Sequence, residues 1–235
     1  GIDNKIVTTN TTVTSSDTSY PITNLANPAT NLYWKASSTA SQTITVDNST
    51  SADQADYVAI ARHNLGTGLC TLRLDLVDPS NVTVTAVAAY QPANDDAIIL
   101  RFTPQLVKTF KIILTPAAVI PQIAVAYVGK LLVSQRRVYV GHSPITLGRE
   151  TVSTTGKAEN GNFLGRIVTQ ESLSGAVSLK NITAAWYRSK FDPFVASARY
   201  APFFFAWRPT TYPTETGYCW LTGDPKPVNA MSNGM

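Results

Sequence analysis

Charged side chains make up only 14% of the 235 residues, against 44% apolar ones. So little charge with so much apolar content excludes a disordered chain, and it leaves the surface to Ser, Thr, Asn and Gln. Cysteine is nearly absent: Cys70 and Cys219 stand far apart and outside any C-x-x-C pair, which excludes a disulfide framework and a thiolate zinc site. Two reduced thiols suit assembly in a reducing cytoplasm. With only His63 and His142, a three-histidine zinc centre is excluded as well. No run of about eighteen apolar residues occurs, so no membrane anchor is expected. The opening "GIDNKIVTTN" lacks the basic-then-apolar layout of an export signal. The expectation is a soluble chain. Four N-x-[ST] triplets, at Asn10, Asn48, Asn81 and Asn181, are what chance supplies in a chain this rich in Thr and Ser.

What charge there is lies unevenly. Residues 1–134 hold 8 Lys/Arg and 9 Asp/Glu, whereas residues 135–235 hold 11 and 6. The second part is the basic one, and scattered Arg and Lys read most simply as a solvated face.

Strand signals then recur from residue 40 to residue 134. "QTITVD" (42–47), "DYVAIA" (56–61), "CTLRLDLVD" (70–78), "NVTVTAVAAY" (81–90), "DAIILRF" (96–102), "TFKIILT" (109–115) and "QIAVAYVGKLLVS" (122–134) are rich in β-branched residues and are divided by Pro, Asn and Asp turns. This spacing predicts a sandwich or jelly roll. In "TLRLDLVD" the alternation turns Leu72, Leu74 and Leu76 inward and Arg73 and Asp75 toward solvent. Upstream, "SYPITNLANPATNLYWKASS" (19–38) shows no period, yet it must be ordered to bury Leu25, Leu32, Tyr33 and Trp34.

The second half has a different grammar. Parity from Ile167 through Leu173 to Val177 and Leu179 predicts one strand over 167–182. A helix capped by Asn181 or Thr183 follows, with a bend where Asp192 and Pro193 read as a fresh cap and first turn. "PFFFAWRP" (202–209) and "GYCWLTG" (217–223) read as aromatic core strands fenced by proline.

Between the halves lies "GRETVSTTGKAENGNFLGR" (148–166), with few apolar side chains. Asn160-Gly161 signals a type I′ hairpin that folds 147–159 against 162–174. An isolated two-stranded arm is marginal in water and leaves its edges open. The reading that reconciles these facts is an arm that orders on neighbouring copies or other proteins; a mobile loop is the alternative.

These residues carry a resemblance. "YPITNLANPATNLYWKAS", "QTITVD" and "ADYVAIARHNLGTG" resemble the opening of discoidin-like (F5/8 type C-like) jelly-roll modules of bacteriophage tail proteins, over residues 18–134. "GNFLGRIVTQESLSGAVSLKNITAAWYRSKFDPFVASARYAPFFFAWRP", followed by "YCWLTGD", is similar to the C-terminal part of distal tail or baseplate ring proteins of long-tailed phages. The resemblance implies a mainly β protein of two parts. Residues 1–134 would be a discoidin-like jelly roll, with 1–17 unassigned and open to pairing with the second part. Residues 135–235 would be a tail-tube-like β-sandwich with one bent helix and the arm 147–174. It also implies a homohexameric ring in the virion tail, assembled in the host bacterial cytoplasm, that joins the tail tube protein to baseplate hub or fibre proteins. DNA would pass through its lumen without specific binding. Arg149, Val152, Lys157, Asn160, Gly161, Phe163, Leu164 and Arg166 are then the candidate assembly residues. In discoidin-like modules sugars bind loops at one end, so Arg62, His63 and Asn64 and the loop "LANPATNLYW" are candidates for glycan contact. The alternative function is accordingly a carbohydrate-binding adhesin for host glycans.

Catalytic chemistry finds no constellation. "GHSPI" (141–145) puts Ile145 where a nucleophile elbow needs Gly. "GTGLC" and "TGDPKP" lack the ending of a phosphate loop. Asp47, Asp53, Asp56, Asp95 and Asp96 could hold calcium but show no EF-hand spacing and read as turn carboxylates. Glu150, Glu159 and Glu171 sit on the arm, a poor place for an acid–base pair. The chain reads as a non-enzyme that needs no cofactor.

Overall fold

The computed structural model describes residues 3–48, 52–138 and 141–228. Its fold class is mainly β, with a discoidin-like sandwich at one end of the chain and a hairpin, a helix and a small aromatic sheet at the other.

The sandwich has two antiparallel sheets. The five-stranded sheet runs β1 (Thr11–Val13), β3 (Gln42–Asp47), β8 (Thr109–Thr115), β5 (Thr71–Val77), β6 (Thr83–Tyr90). The four-stranded sheet runs β2 (Trp34–Lys35), β9 (Gln122–Gly129), β4 (Asp53–His63), β7 (Ile98–Val107). Strand alternation turns Ile44, Val46, Leu72, Leu74, Leu76, Phe110, Ile112 and Leu114 onto one core with Val58, Ile60, Ile123 and Val128 of the other sheet. Trp34 is fully buried there, its indole N–H donating to Ser16 Oγ at 2.9 Å, so the unpatterned 19–38 segment is indeed ordered. Leu32 of that segment nevertheless stays exposed.

Asp75 departs from the simple alternation. It lies opposite the leucines, but Arg73 covers it and Thr85 Oγ1 donates to it at 2.8 Å, so it is buried rather than solvated. Burial pushes its carboxyl up, yet the hydrogen bonds from Arg73 and Thr85 and the charges of Arg73 and Lys111 outweigh this and hold it below the ordinary range.

The N-terminal segment joins this sandwich. β1 pairs with β3, Lys5 N donates to Val128 O at 2.8 Å, and Tyr57 Oη donates to Asp3 O at 2.5 Å.

The four-stranded sheet is buried on both faces along its central strands β4 and β9, which is why "DYVAIA" has no polar alternation. Its outer face is covered by β12 (Phe203–Ala206) and β13 (Thr216–Cys219), a two-stranded antiparallel sheet. Phe204 packs there with Tyr57, Ala59, Ala61, Ile99, Val125 and Tyr127. The Tyr127 and Phe204 rings meet edge-on at 5.2 Å, and Ile99 N donates to Pro213 O at 3.3 Å. The first aromatic strand puts Phe203 and Phe204 into the core as read, but the second ends at Cys219, leaves Tyr218 and Cys219 half-buried and has Trp220 70% exposed beyond its end, so the core reading of 217–223 does not hold there.

The hairpin is β10 (Arg149–Lys157) on β11 (Phe163–Leu173). Its turn differs from the expected type I′: Gly161 N donates to Ala158 O, Ala158 N to Asn162 O, and of Asn160 and Gly161 only Gly161 takes positive φ. This is a three-residue loop, in which one left-handed position suffices. The strand expected over 167–182 stops at Leu173. Its partner runs out there, because beyond Arg149 the chain enters the turn Ile145–Leu147, and Gly148 lies so close to Ser174 that a Cβ would sit 1.9 Å from its carbonyl oxygen.

The helix starts where a cap was expected: Thr183 Oγ1 accepts from Trp186 N at 3.2 Å. It runs through Ala184–Trp186, a π turn at Tyr187–Phe191 and Asp192–Ala198. Asp192 does not cap a second helix, because its own backbone is helical and its N–H donates to Tyr187 O. Pro193 has no N–H and would clash with a carbonyl four residues back, and the wide turn relieves both.

Candidate functional site

Two regions invite a functional reading: a cleft at one end of the sandwich, and the arm.

The cleft, about 310 Å³, is lined by Thr30, Tyr33, Arg62, His63, Asp95, Gln122 and Ala124. Four segments build it. β4 ends in Arg62 and His63, β9 begins with Gln122 and Ala124, and the loops around 27–33 and 91–97 supply the rest. Arg62 is exposed and has φ +53°, an uncommon conformation for a long side chain. The loop after it is tightly tied. Asp95 Oδ1 accepts from Gly66 N at 2.8 Å and Thr67 N at 3.0 Å, and its Oδ2 accepts from Thr67 Oγ1 at 2.7 Å. Gly66 has to be glycine, since a Cβ would lie 2.3 Å from the Asn94 carbonyl carbon. Burial pushes the Asp95 carboxyl up, but those three hydrogen bonds prevail and hold it below its usual range.

His63 is buried. Its Nδ1 accepts from Leu65 N at 3.2 Å, and its Nε2 faces Asp96 O at 2.9 Å. A carbonyl only accepts, so this pattern assigns the proton to Nε2. Burial lowers its pKa, against the opposing pull of Asp96 and Asp95, which favours the neutral ring. Asn64 is consumed in bracing: Nδ2 donates to Ile120 O and Oδ1 accepts from Gln122 N, both at 2.9 Å. Of the sequence candidates Arg62, His63 and Asn64, then, Arg62 alone presents an exposed side chain to the cleft, while the other two shape its wall. Tyr33, from the flagged "LANPATNLYW" loop, stacks on Tyr20 at 4.4 Å. Sequence reading missed Asp95 and Gln122 as cleft residues; the turn-rich "QPANDD" was the one signal for Asp95, and Gln122 had none.

The other acids flagged for calcium are occupied within the fold. Asp53 pairs with Lys5 at 2.8 Å, and Asp56 accepts from Leu131 N at 2.7 Å. Among the described residues no group of three His, Cys, Asp or Glu is placed to hold a metal ion. His142 lies edge-on to Trp207 at 5.2 Å, a packing role, and Ser143 is exposed. Burial pushes both thiols, Cys70 and Cys219, to about 11, so both stay protonated and unreactive at neutral pH.

The arm is the opposite kind of surface. Phe163, Leu164 and Ile167 are 66%, 70% and 70% exposed. Val152, Val168 and Leu173 are exposed as well. The register pairs Phe163 with Lys157, Val168 with Ser153 and Ile167 with Thr154 across a bulge at Leu164, so Phe163 and Val168 share one face and Ile167 takes the other, and neither face rests on the protein. Among the described residues each strand pairs only with the other, leaving both outer edges without a strand. Within the arm Arg166 Nε donates to Ser153 Oγ at 2.8 Å, and Arg149 and Lys157 are exposed. The sequence list omitted Ile167, Val168 and Leu173, which strand parity could have added. The root is firm: Ile145 packs so closely on Gly217 of β13 that a Cβ there would lie 2.8 Å from it.

No known protein family or curated protein matches the chain by sequence. Solved structures similar to it span about half of the chain. Chitosan-binding module 1 from a chitosanase/glucanase of Paenibacillus sp. IK-5 is 12% identical, with a TM-score of 0.46, over 53% of this chain and 97% of that one. The family 32 carbohydrate-binding module of Clostridium perfringens NanJ, solved with galactose, is 19% identical, with a TM-score of 0.43, over 50% and 90%. A Streptococcus pneumoniae fucose binding module is 17% identical, with a TM-score of 0.45, over 54% and 94%. The structures named here are thus all carbohydrate-binding modules.

Proposed function

We propose that the chain is a structural, non-catalytic protein that assembles with copies of itself through the arm at 149–173. The place that fits is the one its sequence resemblance implies, a homohexameric distal tail ring joining a phage tail tube to the baseplate or tip. One observation carries the reading: the arm exposes Phe163, Leu164, Ile167 and Val168 on two opposite faces and leaves both strand edges open. Apolar side chains on two faces need two covering surfaces, and open edges need two strands. Ring closure by like copies supplies all of these at once. The test is mass photometry with negative-stain electron microscopy, on the intact chain and on a variant lacking residues 150–165. Closed rings that vanish with the deletion are expected. Monomers at every concentration, with and without tail tube protein, would overturn the proposal.

A second reading concerns the sandwich: a carbohydrate-binding module that contacts host glycans. The cleft supports it, because an exposed guanidinium at Arg62, the Tyr33 ring and the Gln122 amide converge on one open space between loops that are themselves pinned. A glycan array probed with the intact chain and with Arg62→Ala tests it. Saccharide binding lost in the variant supports this reading, and an empty array removes it.

A further inference from the structure

The wall of the cleft has no place for a second proton on His63. In the neutral ring both nitrogens are committed: Nδ1 accepts from Leu65 N at 3.2 Å, and the Nε2 proton goes to Asp96 O at 2.9 Å. An imidazolium donates from both nitrogens. The wall gives it one acceptor, the Asp96 carbonyl, and sets its other nitrogen against a backbone N–H. Turning the ring over exchanges the nitrogens and leaves the same conflict.

Leu65 is fixed and does not relieve it. Its side chain is fully buried, and its carbonyl accepts from Cys70 N at 2.8 Å. Gly66, the next residue, is pressed against the Asn94 backbone, and its N–H is held by Asp95 Oδ1 at 2.8 Å. The ring is the part with room to move, because it borders the open cleft of about 310 Å³. Asp95 lines that cleft too, so a charged ring leaving the wall keeps a carboxylate neighbour. Around the ring, Asp95 and Asp96 of the 91–97 loop favour its positive charge. Arg62, beside it on β4, opposes that charge, and Tyr33 of the 27–33 loop lines the same cleft. β9 brings Gln122 and Ile123, which do not titrate.

We propose that His63 is an acid-operated latch: on taking a second proton its ring leaves the wall for the cleft, and the Leu65 N–H and the Asp96 carbonyl lose their partner. The latch rests on neither ring assembly nor glycan binding, because every group in it belongs to one chain. A released ring has the ordinary value of 6.5, whereas burial lowers it in the wall. Release therefore grows as pH falls below 6.5, by about tenfold per pH unit.

The test is made by nuclear magnetic resonance on the full chain between about pH 8 and about pH 5, reading the His63 ring and amide hydrogen exchange together. With only two histidines in the chain, His63→Asn assigns the ring signals. After correction for the intrinsic pH dependence of exchange, protection of the Leu65 amide should fall about tenfold per pH unit as the ring titrates. Protection of Ile112, in the core of β8, should stay constant, and folded His63→Asn should show no such slope at Leu65. Should that variant fail to fold, the parent decides alone, by whether the ring and the Leu65 amide titrate together. A ring that titrates while Leu65 stays protected overturns the latch, as does the parental slope in the folded variant. A ring that stays neutral until Leu65 and Ile112 lose protection at one pH overturns it as well, assigning the change to global unfolding.

Discussion

The sandwich and the arm answer the same physical problem in opposite ways. The central strands of the four-stranded sheet, β4 and β9, find apolar cover on two sides, from the facing sheet and from the small aromatic sheet laid over them. Each strand of the arm has one neighbour and no cover. A protein that buries Trp34, Tyr57 and Phe204 almost completely does not lack apolar material with which to close itself. The arm's exposed Phe, Leu and Ile are the surface that the proposed assembly would cover. The difference shows that apolar burial in this chain concentrates in the sandwich and apolar exposure in the arm.

That contrast can be broken at its strongest point by truncating the core. Trp34→Ala should destabilise the chain by about 3–5 kcal/mol in urea unfolding, since it removes a fully buried large ring. The triple change Phe163→Ser, Leu164→Ser, Ile167→Ser should stay within about 0.5 kcal/mol per site for the monomer, as exposed positions do, while abolishing self-association. A large loss of monomer stability from the triple change would mean that the arm packs on its own chain.

A smaller effect tests the cleft's scaffold. Gly66→Ala pushes a methyl group into the Asn94 backbone and should cost about 1–3 kcal/mol, read from the melting temperature. Thr183→Ala removes a helix cap and should cost about 1 kcal/mol.

The pH dependence sharpens the comparison further, because the histidine and aspartates with shifted pKa lie in the sandwich. His63 has a lowered pKa in the folded chain, so the unfolded chain binds its proton first. Its contribution is intact above the ordinary value of 6.5 and declines as pH falls below it. Asp75 and Asp95 are also lowered, so their contribution holds above 3.8 and is lost as pH falls through their folded values. Urea midpoints should fall in two stages on acidification, and His63→Asn should remove the first. An unchanged first stage would assign it to another group.

Much of this was legible along the chain. The seven strand signals between residues 40 and 134 correspond to seven strands, because alternation and turn residues act over a few positions. The hairpin was legible in Asn160-Gly161, although its loop type was not, since three residues with one left-handed glycine close it as well as two residues would. Thr183 was legible as a cap. The overlong strand past Leu173 was misread because parity continues in sequence after the pairing partner has turned away. Of the cleft residues, Asp95 carries only the turn-rich "QPANDD" as a local signal, and Gln122 carries none.

By itself, then, the sequence determined the β class, the succession of strands in the sandwich, the arm and the helix cap. Each follows from interactions among residues a few positions apart. Tertiary structure alone decided that the aromatic sheet covers the outer face of the sandwich, and that His63 and Asn64 brace a wall while Arg62 faces the cleft. Those outcomes depend on which surfaces meet across tens of residues, and there burial and hydrogen-bond satisfaction, rather than local periodicity, select the partner.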